Sequence, residues 1–379
     1  MKKVMSNFRY LILAVVVSGL WVLGGCSSNS DPAPTKNIVD LISSTDFKES
    51  ATVTDDKALD SLVKYVSTYP DLVTLLSGTT QYTLFAPSNK AFKNLLATPG
   101  FPSNITLINP DIIKDVLSYH VVADQKLQSA LTSGLTLPTL YTDPLSSTVQ
   151  NIVINADGTL KTGSTNDKIA ITVADKKATN GVVHVTASVL IPPSVGATLT
   201  PILGTMAGTI LLGKDFSYLA ALISKADAGV TEGADLNSKK ISTLLAIPAN
   251  TPNFPGATFF APPNAVITAA AGAAGVPAFL ASLSQAQARG LLLNHYVLGK
   301  WVTTGADGTT TFPIESGKSA TAMSTGKLYF LSGLTPSANN PYGIIVTTDL
   351  NTTSKYAPIV IKDLSVNNGK IQVIAGILQ

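Results

Sequence analysis

The chain carries one cysteine, Cys26, in 379 residues, so no disulfide can form within it. It has three histidines, and none has a metal-binding partner at helical or Cys/His spacing. It contains no Gly-x-Ser-x-Gly elbow, no Walker phosphate loop and no Gly-x-Gly-x-x-Gly after a strand. Its carboxylates are scattered. The expectation is a non-enzyme with no metal and no cofactor. Charge is scarce as well, at 13% of residues. Setting aside Lys2, Lys3 and Arg9 leaves 23 basic residues against 23 acidic ones. That balance offers no basic stripe to nucleic acid or to anionic lipid. After Cys26 no run reads as long and apolar enough for a transmembrane helix.

What the chain does have, it has twice. Phe85-Ala86-Pro87, Tyr119-His120-Val121-Val122 and Asn180-Gly181-Val182-Val183-His184-Val185 occur in that order. Phe260-Ala261-Pro262, His295-Tyr296-Val297-Leu298 and Asn368-Gly369-Lys370-Ile371-Gln372-Val373 follow in the same order. The offsets read as 175 (85 to 260), 176 (120 to 296) and 188 (181 to 369). Three landmarks at nearly constant offset mark two copies of one domain. The expected divisions are a signal segment at 1–25, a tether at 26–36, a first domain at 37–193, a linker at 194–205 and a second domain at 206–379.

The local pattern of each copy is mixed α and β. Leu59, Leu62, Val63 and Val66, and later Phe216, Leu219, Ala220 and Ile223, have helical spacing, with Asp215 as a cap for the second helix. A short apolar strand follows in each copy, at residues 82–86 and 258–261, and stops at a proline. Ser88 or Asn89, and Asn264, are expected to cap the next helix. Asn109-Pro110 starts another, and Asn155-Ala156-Asp157-Gly158 signals a hairpin. The last strands alternate Val183, Val185, Ala187, Val189 and Ile371, Val373, Ala375, Ile377, which predicts one apolar face on a core.

The first residues are a sorting signal rather than a fold. Lys2, Lys3 and Arg9 precede an apolar run at residues 11–23 that ends in Gly24-Gly25-Cys26. This resembles a bacterial lipoprotein signal, which implies cleavage before Cys26 and lipidation of it. Residues 27–36 are small, polar and Pro-containing, as a flexible tether would be. Ser27 after the lipid cysteine, by resemblance to lipoprotein sorting, implies the outer membrane.

The ordered boxes resemble the fasciclin (FAS1) family. Residues 178–185 with Leu190 to Pro193 behind them are similar to its C-terminal box. Thr83-Leu84-Phe85-Ala86-Pro87-Ser88-Asn89 is similar to its N-terminal box, and Leu117-Ser118-Tyr119-His120-Val121-Val122 to its central segment. The resemblance implies an α+β fold, two tandem domains that are each a β-sandwich wedge flanked by helices. It also implies adhesion or matrix binding without catalysis.

Candidate binding residues come from the same resemblance. In animal members a Tyr-His segment and an Asp-Ile pair before the Asn-Gly box are linked to adhesion. Tyr119, His120 and Asp175 match in the first copy, with Lys176 in place of the isoleucine. In the second copy the pair reads in reverse as His295-Tyr296, and Asp363-Leu364 is the nearer match for the acidic pair. Each residue also has an ordinary reading. His120 is a buried ring bonded to backbone, and the aspartates organise a turn. His184, with Gln372 as its counterpart, reads as structural or exposed, and Trp301 as a contact residue or a core filler. The leading expectation is a lipid-anchored envelope protein that binds a matrix polysaccharide, a host surface or an envelope protein through both domains. Its rivals are a subunit of an outer-membrane assembly and a carrier of a small apolar ligand.

Overall fold

The computed structural model describes residues 33–144, 146–163, 168–305 and 311–379. The expected signal segment and Cys26 lie outside them, as does most of the expected tether. The first domain runs α1 (Ile38–Ile42), α2 (Asp60–Val66), α3 (Pro70–Ser77), β1 (Tyr82–Pro87), α4 (Asn89–Leu96), α5 (Pro110–Tyr119) and β2 (Val121–Val122). It continues with β3 (Thr136–Asp143), β4 (Thr148–Ile154), β5 (Leu160–Lys161), β6 (Ile171–Ala178) and β7 (Gly181–Thr186). The sheet order is β5-β4-β3-β2-β1-β7-β6.

The centre of this sheet is a parallel pair. β1 runs beside β7 in register from Tyr82 opposite Gly181 to Pro87 opposite Thr186. All six residues of both strands are buried. On one face Leu84, Ala86, Val183 and Val185 pack beneath the helices with Leu62, Leu76 and Phe92. On the other face Phe85 packs with Tyr119, Tyr141, Ile152 and Leu160 from the far strands. The closing strand is therefore apolar or hydrogen-bonded on both faces. This corrects the one-faced reading of its alternation, because a strand central to a wedge has no solvent side. A bridge between Leu160 and Ile169 brings β5 back beside the start of β6, so the strands almost close on themselves.

After β7 comes α6 (Pro193–Leu199), a helix that begins where a plain linker is expected. The second domain opens with α7 (Met206–Leu212), α8 (Ser217–Asp227), α9 (Ile241–Ala246), β8 (Ala257–Ala261), α10 (Asn264–Ala271), α11 (Gly275–Ser282), α12 (Gln285–Asn294) and β9 (Tyr296–Leu298). A small parallel pair, β10 (Lys300–Val302) and β11 (Thr311–Pro313), stands apart. Then follow β12 (Ser319–Thr321), β13 (Lys327–Leu331), β14 (Ile345–Thr347), β15 (Ala357–Val366) and β16 (Gly369–Ile374), in the order β12-β13-β14-β15-β16-β8-β9. Again a parallel pair, β8 with β16, sits inside the sheet. The ring of strands is the same in both domains and is interrupted at a different place. In the first domain β2 pairs with β3 and a lone bridge joins Leu160 to Ile169. In the second, β14 pairs with β15 and a lone bridge joins Val297 to Ala322.

Two helix assignments need correction. Each domain opens one helix earlier than its spacing pattern suggests, with α1 and α7. Asp215 makes no cap for α8. That duty falls to Asn264, whose Oδ1 accepts from Tyr218 N–H at 2.9 Å across the fold. Asn89 does the same for α2, accepting from Ser61 N–H at 2.8 Å, while Ser88 caps α4 itself.

From Lys36 onward the chain forms one compact unit. The two domains meet through backbone. Asn109 N–H donates to Leu212 O at 2.7 Å, Gly204 N–H donates to Gly100 O at 3.2 Å, and Ile108 bridges Gly213. Gly100 has φ 80°, and a Cβ there would lie 2.4 Å from Gly204 N, so the approach requires glycine.

Candidate functional site

Both matched histidines sit at the junction between a helix and a strand, and both are interior. His120 follows α5 and His295 follows α12, at 0% and 1% exposure. The ring of His120 bonds Val116 O through Nδ1 at 2.7 Å and accepts from Leu190 N–H at Nε2, at 2.9 Å. His295 repeats this with Leu291 O at 2.9 Å and Leu378 N–H at 3.1 Å. One nitrogen must donate and the other accept, which is the neutral ring. Burial pushes each pKa down to about 4, only partly offset by the bonded carbonyl. Each histidine ties the end of its helix to the segment beyond the closing strand.

The reversed Tyr-His order dissolves in three dimensions. His120 and His295 are equivalents at an offset of 175, the same offset as Phe85 and Phe260. The tyrosine has moved instead. Tyr119 lies before its histidine, packs with the far strands, and donates to Asn151 O at 2.7 Å. Tyr296 lies after its histidine, packs under the helices, and donates to Leu244 O at 3.0 Å. Both phenols are fully buried, and burial raises their pKa values. A ring with no exposed surface touches no external partner, so these four candidates act from inside the fold.

The two candidate aspartates occupy one repeated device. Asp175 and Asp363 adopt left-handed φ values of 56° and 55°, each at a register shift in the penultimate strand. Asp tolerates that region better than most residues. Asp175 Oδ1 accepts from Gln128 N–H at 2.7 Å. Asp363 accepts from Thr303 N–H at 3.0 Å, from Thr303 Oγ1 at 2.5 Å and from Gln372 Nε2 at 2.7 Å. Opposite each stands a buried polar side chain on the last strand. His184 Nε2 donates to Lys126 O at 2.8 Å while Nδ1 accepts from Asp175 N–H at 3.2 Å. Gln372 Nε2 donates to Trp301 O at 3.0 Å and Oε1 accepts from Asp363 N–H at 2.9 Å. Burial lowers the pKa of His184 despite Asp175 nearby. Asp175 stays exposed and Asp363 half-buried, so a partner can reach only their outer edges.

Three further repeated residues carry no obvious chemical signal in sequence beyond their recurrence. Asn180 Oδ1 accepts from Ile38 N–H and its Nδ2 donates to Leu76 O, both at 2.8 Å. Asn368 does the same to Met206 N–H at 3.0 Å and Leu245 O at 2.8 Å. Thr83 and Thr258 bond Asp124 O and Gly299 O at 2.6 and 2.8 Å. The glycine after each asparagine faces a carbonyl, Tyr82 O or Ala257 O, that a Cβ would approach to 2.0 Å. Trp301 is half-buried, between the rings of Phe312 and Phe330.

The surface differs between the domains. Residues 241–288 hold no charged side chain at all. Within them the helical stretch Asn264–Ser282 is long and apolar enough, by length and composition alone, to cross a membrane, contrary to the sequence expectation. Gly272 and Gly275, with φ of 57° and 76°, break its backbone ladder, and Ile267, Ala271 and Val276 pack on the core. A small apolar cavity of about 40 Å³ lies beside His120, well below the ~300–1,000 Å³ of small-ligand sites. Among the described residues no group of three or more His, Cys, Asp or Glu is placed to hold a metal ion.

Residues 57–192 match the fasciclin domain family. Transforming growth factor-beta-induced protein ig-h3 of Sus scrofa is 37% identical over 123 residues, 32% of this chain and 16% of that protein. Its Oryctolagus cuniculus counterpart is 30% identical over 175 residues, covering 46% and 22%. Protein sll1483 of Synechocystis sp. is 35% identical over 124 residues, 32% of this chain and 62% of the relative. The chain thus spans about a fifth of the length of the two ig-h3 proteins. Among solved structures, a FAS1 domain pair from the insect cell adhesion molecule fasciclin I aligns at 16% identity and a TM-score of 0.30, covering 84% of this chain and 96% of that one.

Proposed function

With a fasciclin domain at residues 57–192 and a second α+β domain that repeats its interior as the premise, we propose that this is a lipid-anchored adhesion protein of the cell envelope. It engages a macromolecular partner, a matrix polysaccharide, a host surface or another envelope protein, through both domains. The observation that carries the reading is the duplication: one module, twice, with the polar interior kept in both copies. Two weak sites on one chain raise avidity through effective concentration, and the backbone bonds between the domains hold the spacing of those sites. Cys26 supplies the anchor, and the outer membrane is the proposed location.

The test is an array of glycans and matrix proteins probed with the full chain. A specific, saturable hit that weakens when the domains are separated supports the bivalent adhesin. Equal affinity of one domain and the pair sinks avidity, and a blank array sinks adhesion. The anchor has its own readout: cells fed labelled palmitate should label the chain, and Cys26→Ala should abolish the label.

A second reading has a specific observation in its favour. The uncharged, largely exposed face built by α10 and α11 suits a subunit packed into an envelope assembly. Crosslinking in intact cells that captures one stoichiometric protein, with a blank array, favours this reading over adhesion.

A further inference from the structure

Where the two domains meet they leave a cleft of about 560 Å³, within the ~300–1,000 Å³ range of small-ligand sites. Neither domain makes it alone. The first contributes the loop with Phe101, Pro102, Ser103 and Leu107; the second contributes Thr209, Lys214, Asp215 and Phe216, and the tip of the β15–β16 hairpin. Its walls are fixed before any ligand arrives. Asn367 N–H donates to Gly204 O at 2.7 Å, and the Gly204–Gly100 and Asn109–Leu212 bonds tie together the segments that carry the lining. Asn264 Nδ2 donates to Lys214 O at 2.9 Å, which holds the backbone carrying Lys214 and Asp215. A site of this kind spends little on ordering itself when it binds.

We propose that this cleft binds a short segment of a neutral glycan. The chemistry of the lining selects that class. Phe101, Pro102 and Leu107, with the largely buried Phe216 lining the same cleft, offer apolar surface to the C–H faces of sugar rings. Hydroxyl groups of Ser103 and Thr209, the amide of Asn367, and the side chains of Lys214 and Asp215 surround that surface as donors and acceptors. Lys214 and Asp215 are exposed, opposite in sign and adjacent, so the site carries no net charge that would select an ion. Sugar hydroxyls donate and accept at once, as such a mixed set requires. The proposal rests on the adhesive reading and names its ligand and its site.

The test titrates the full chain in detergent with malto-, cello- and mannohexaose, with hexagalacturonate as the charged arm and a hydroxyl-rich peptide as the protein-like arm. Three variants accompany it: Ser103→Trp, which plugs the mouth from an exposed position; Asp215→Ala, which removes an exposed acceptor; and Lys327→Ala, a surface control on β13. Melting temperatures establish that each folds. Saturable binding of a neutral hexaose that falls about ten-fold or more in Ser103→Trp and Asp215→Ala, and stays unchanged in Lys327→Ala, is the expected result. Neutral-glycan binding indifferent to both cleft variants overturns the site and leaves the adhesive reading intact. Binding of only the charged oligomer or only the peptide, or no binding up to about 10 mM, overturns the ligand class. The adhesive reading then stands or falls on its array.

Discussion

In the first domain the tyrosine beside the buried histidine hangs toward the far strands; in the second it hangs toward the helices. The histidines themselves have not moved, nor have the bonds they make. The same contrast runs through the molecule. Asn180 and Asn368, and Thr83 and Thr258, keep their kinds of partner, and Asp175 and Asp363 keep one backbone N–H, while the apolar residues around them have been exchanged. Apolar packing is non-directional and accepts substitution at conserved volume. A buried polar group has directional partners, and losing one leaves the other unsatisfied in a medium without water. The two domains have drifted along the degree of freedom that costs least.

The two domains are most vulnerable at the glycines that follow Asn180 and Asn368. A Cβ on Gly181 or Gly369 would lie 2.0 Å from a backbone carbonyl oxygen on the neighbouring parallel strand. Either Gly181→Ala or Gly369→Ala should cost more than about 4 kcal/mol, because backbone cannot swing away as a side-chain tip can. Urea unfolding of each variant measures it. A cost under about 1 kcal/mol in one domain would mean that its parallel pair is not held as tightly as the other's.

Next in size is acid. His120 and His295 sit with pKa values near 4, below the ordinary 6.5, because burial disfavours the charged ring. The unfolded chain binds more protons between those values, so stability rises with pH there. It is complete above about pH 6.5 and declines as the pH falls toward 4, by about 3 kcal/mol for each ring. His184 adds in the same direction. His120→Leu should destabilise the protein at pH 7 by about 2–3 kcal/mol through the unpaired Val116 O and Leu190 N–H. It should also flatten the acid slope. An unchanged slope would show that the ring is not buried neutral.

A smaller effect separates the two aspartates. Asp363 holds three donors and Asp175 one backbone N–H. Asp363→Ala should therefore cost about 2–3 kcal/mol and Asp175→Ala about 1 kcal/mol, part of each from alanine in a left-handed conformation. Equal costs would point to backbone strain as the whole effect.

The landmarks of the fold are legible in sequence because they are local: the Phe-Ala-Pro strands, the Asn-Pro helix start, the Asn-Gly turns. Their assembly is not. The pairing of β1 with β7 joins residues almost one hundred apart, and no turn signal announces a parallel neighbour. The equivalence of His120 with His295 turns on one residue of offset, and the adjacent tyrosines disguise it. The candidate rings are legible as special positions, yet the pattern of types does not say whether a ring faces out or in. Burial answers that, and burial is set by strands contributed from across the domain.

The smallest effect is the most informative about the comparison. At the position facing the aspartate bulge the first domain uses His184 and the second uses Gln372. Imidazole and carboxamide share no titration and little shape, but each presents one donor and one acceptor a similar reach from the backbone. The His184 ring donates to Lys126 O and accepts from Asp175 N–H; the Gln372 amide donates to Trp301 O and accepts from Asp363 N–H. His184→Gln should then cost no more than about 1 kcal/mol, whereas His184→Ala, which strands both backbone groups, should cost about 2–3 kcal/mol. The ring also stacks at 5.6 Å on Phe85, which sets the residual penalty of the glutamine. Equilibrium unfolding at pH 7 orders the three proteins. If His184→Gln fell as far as His184→Ala, the position would be demanding the ring itself, and the second domain's glutamine would mark a change of environment rather than a second solution to the same pair of hydrogen bonds.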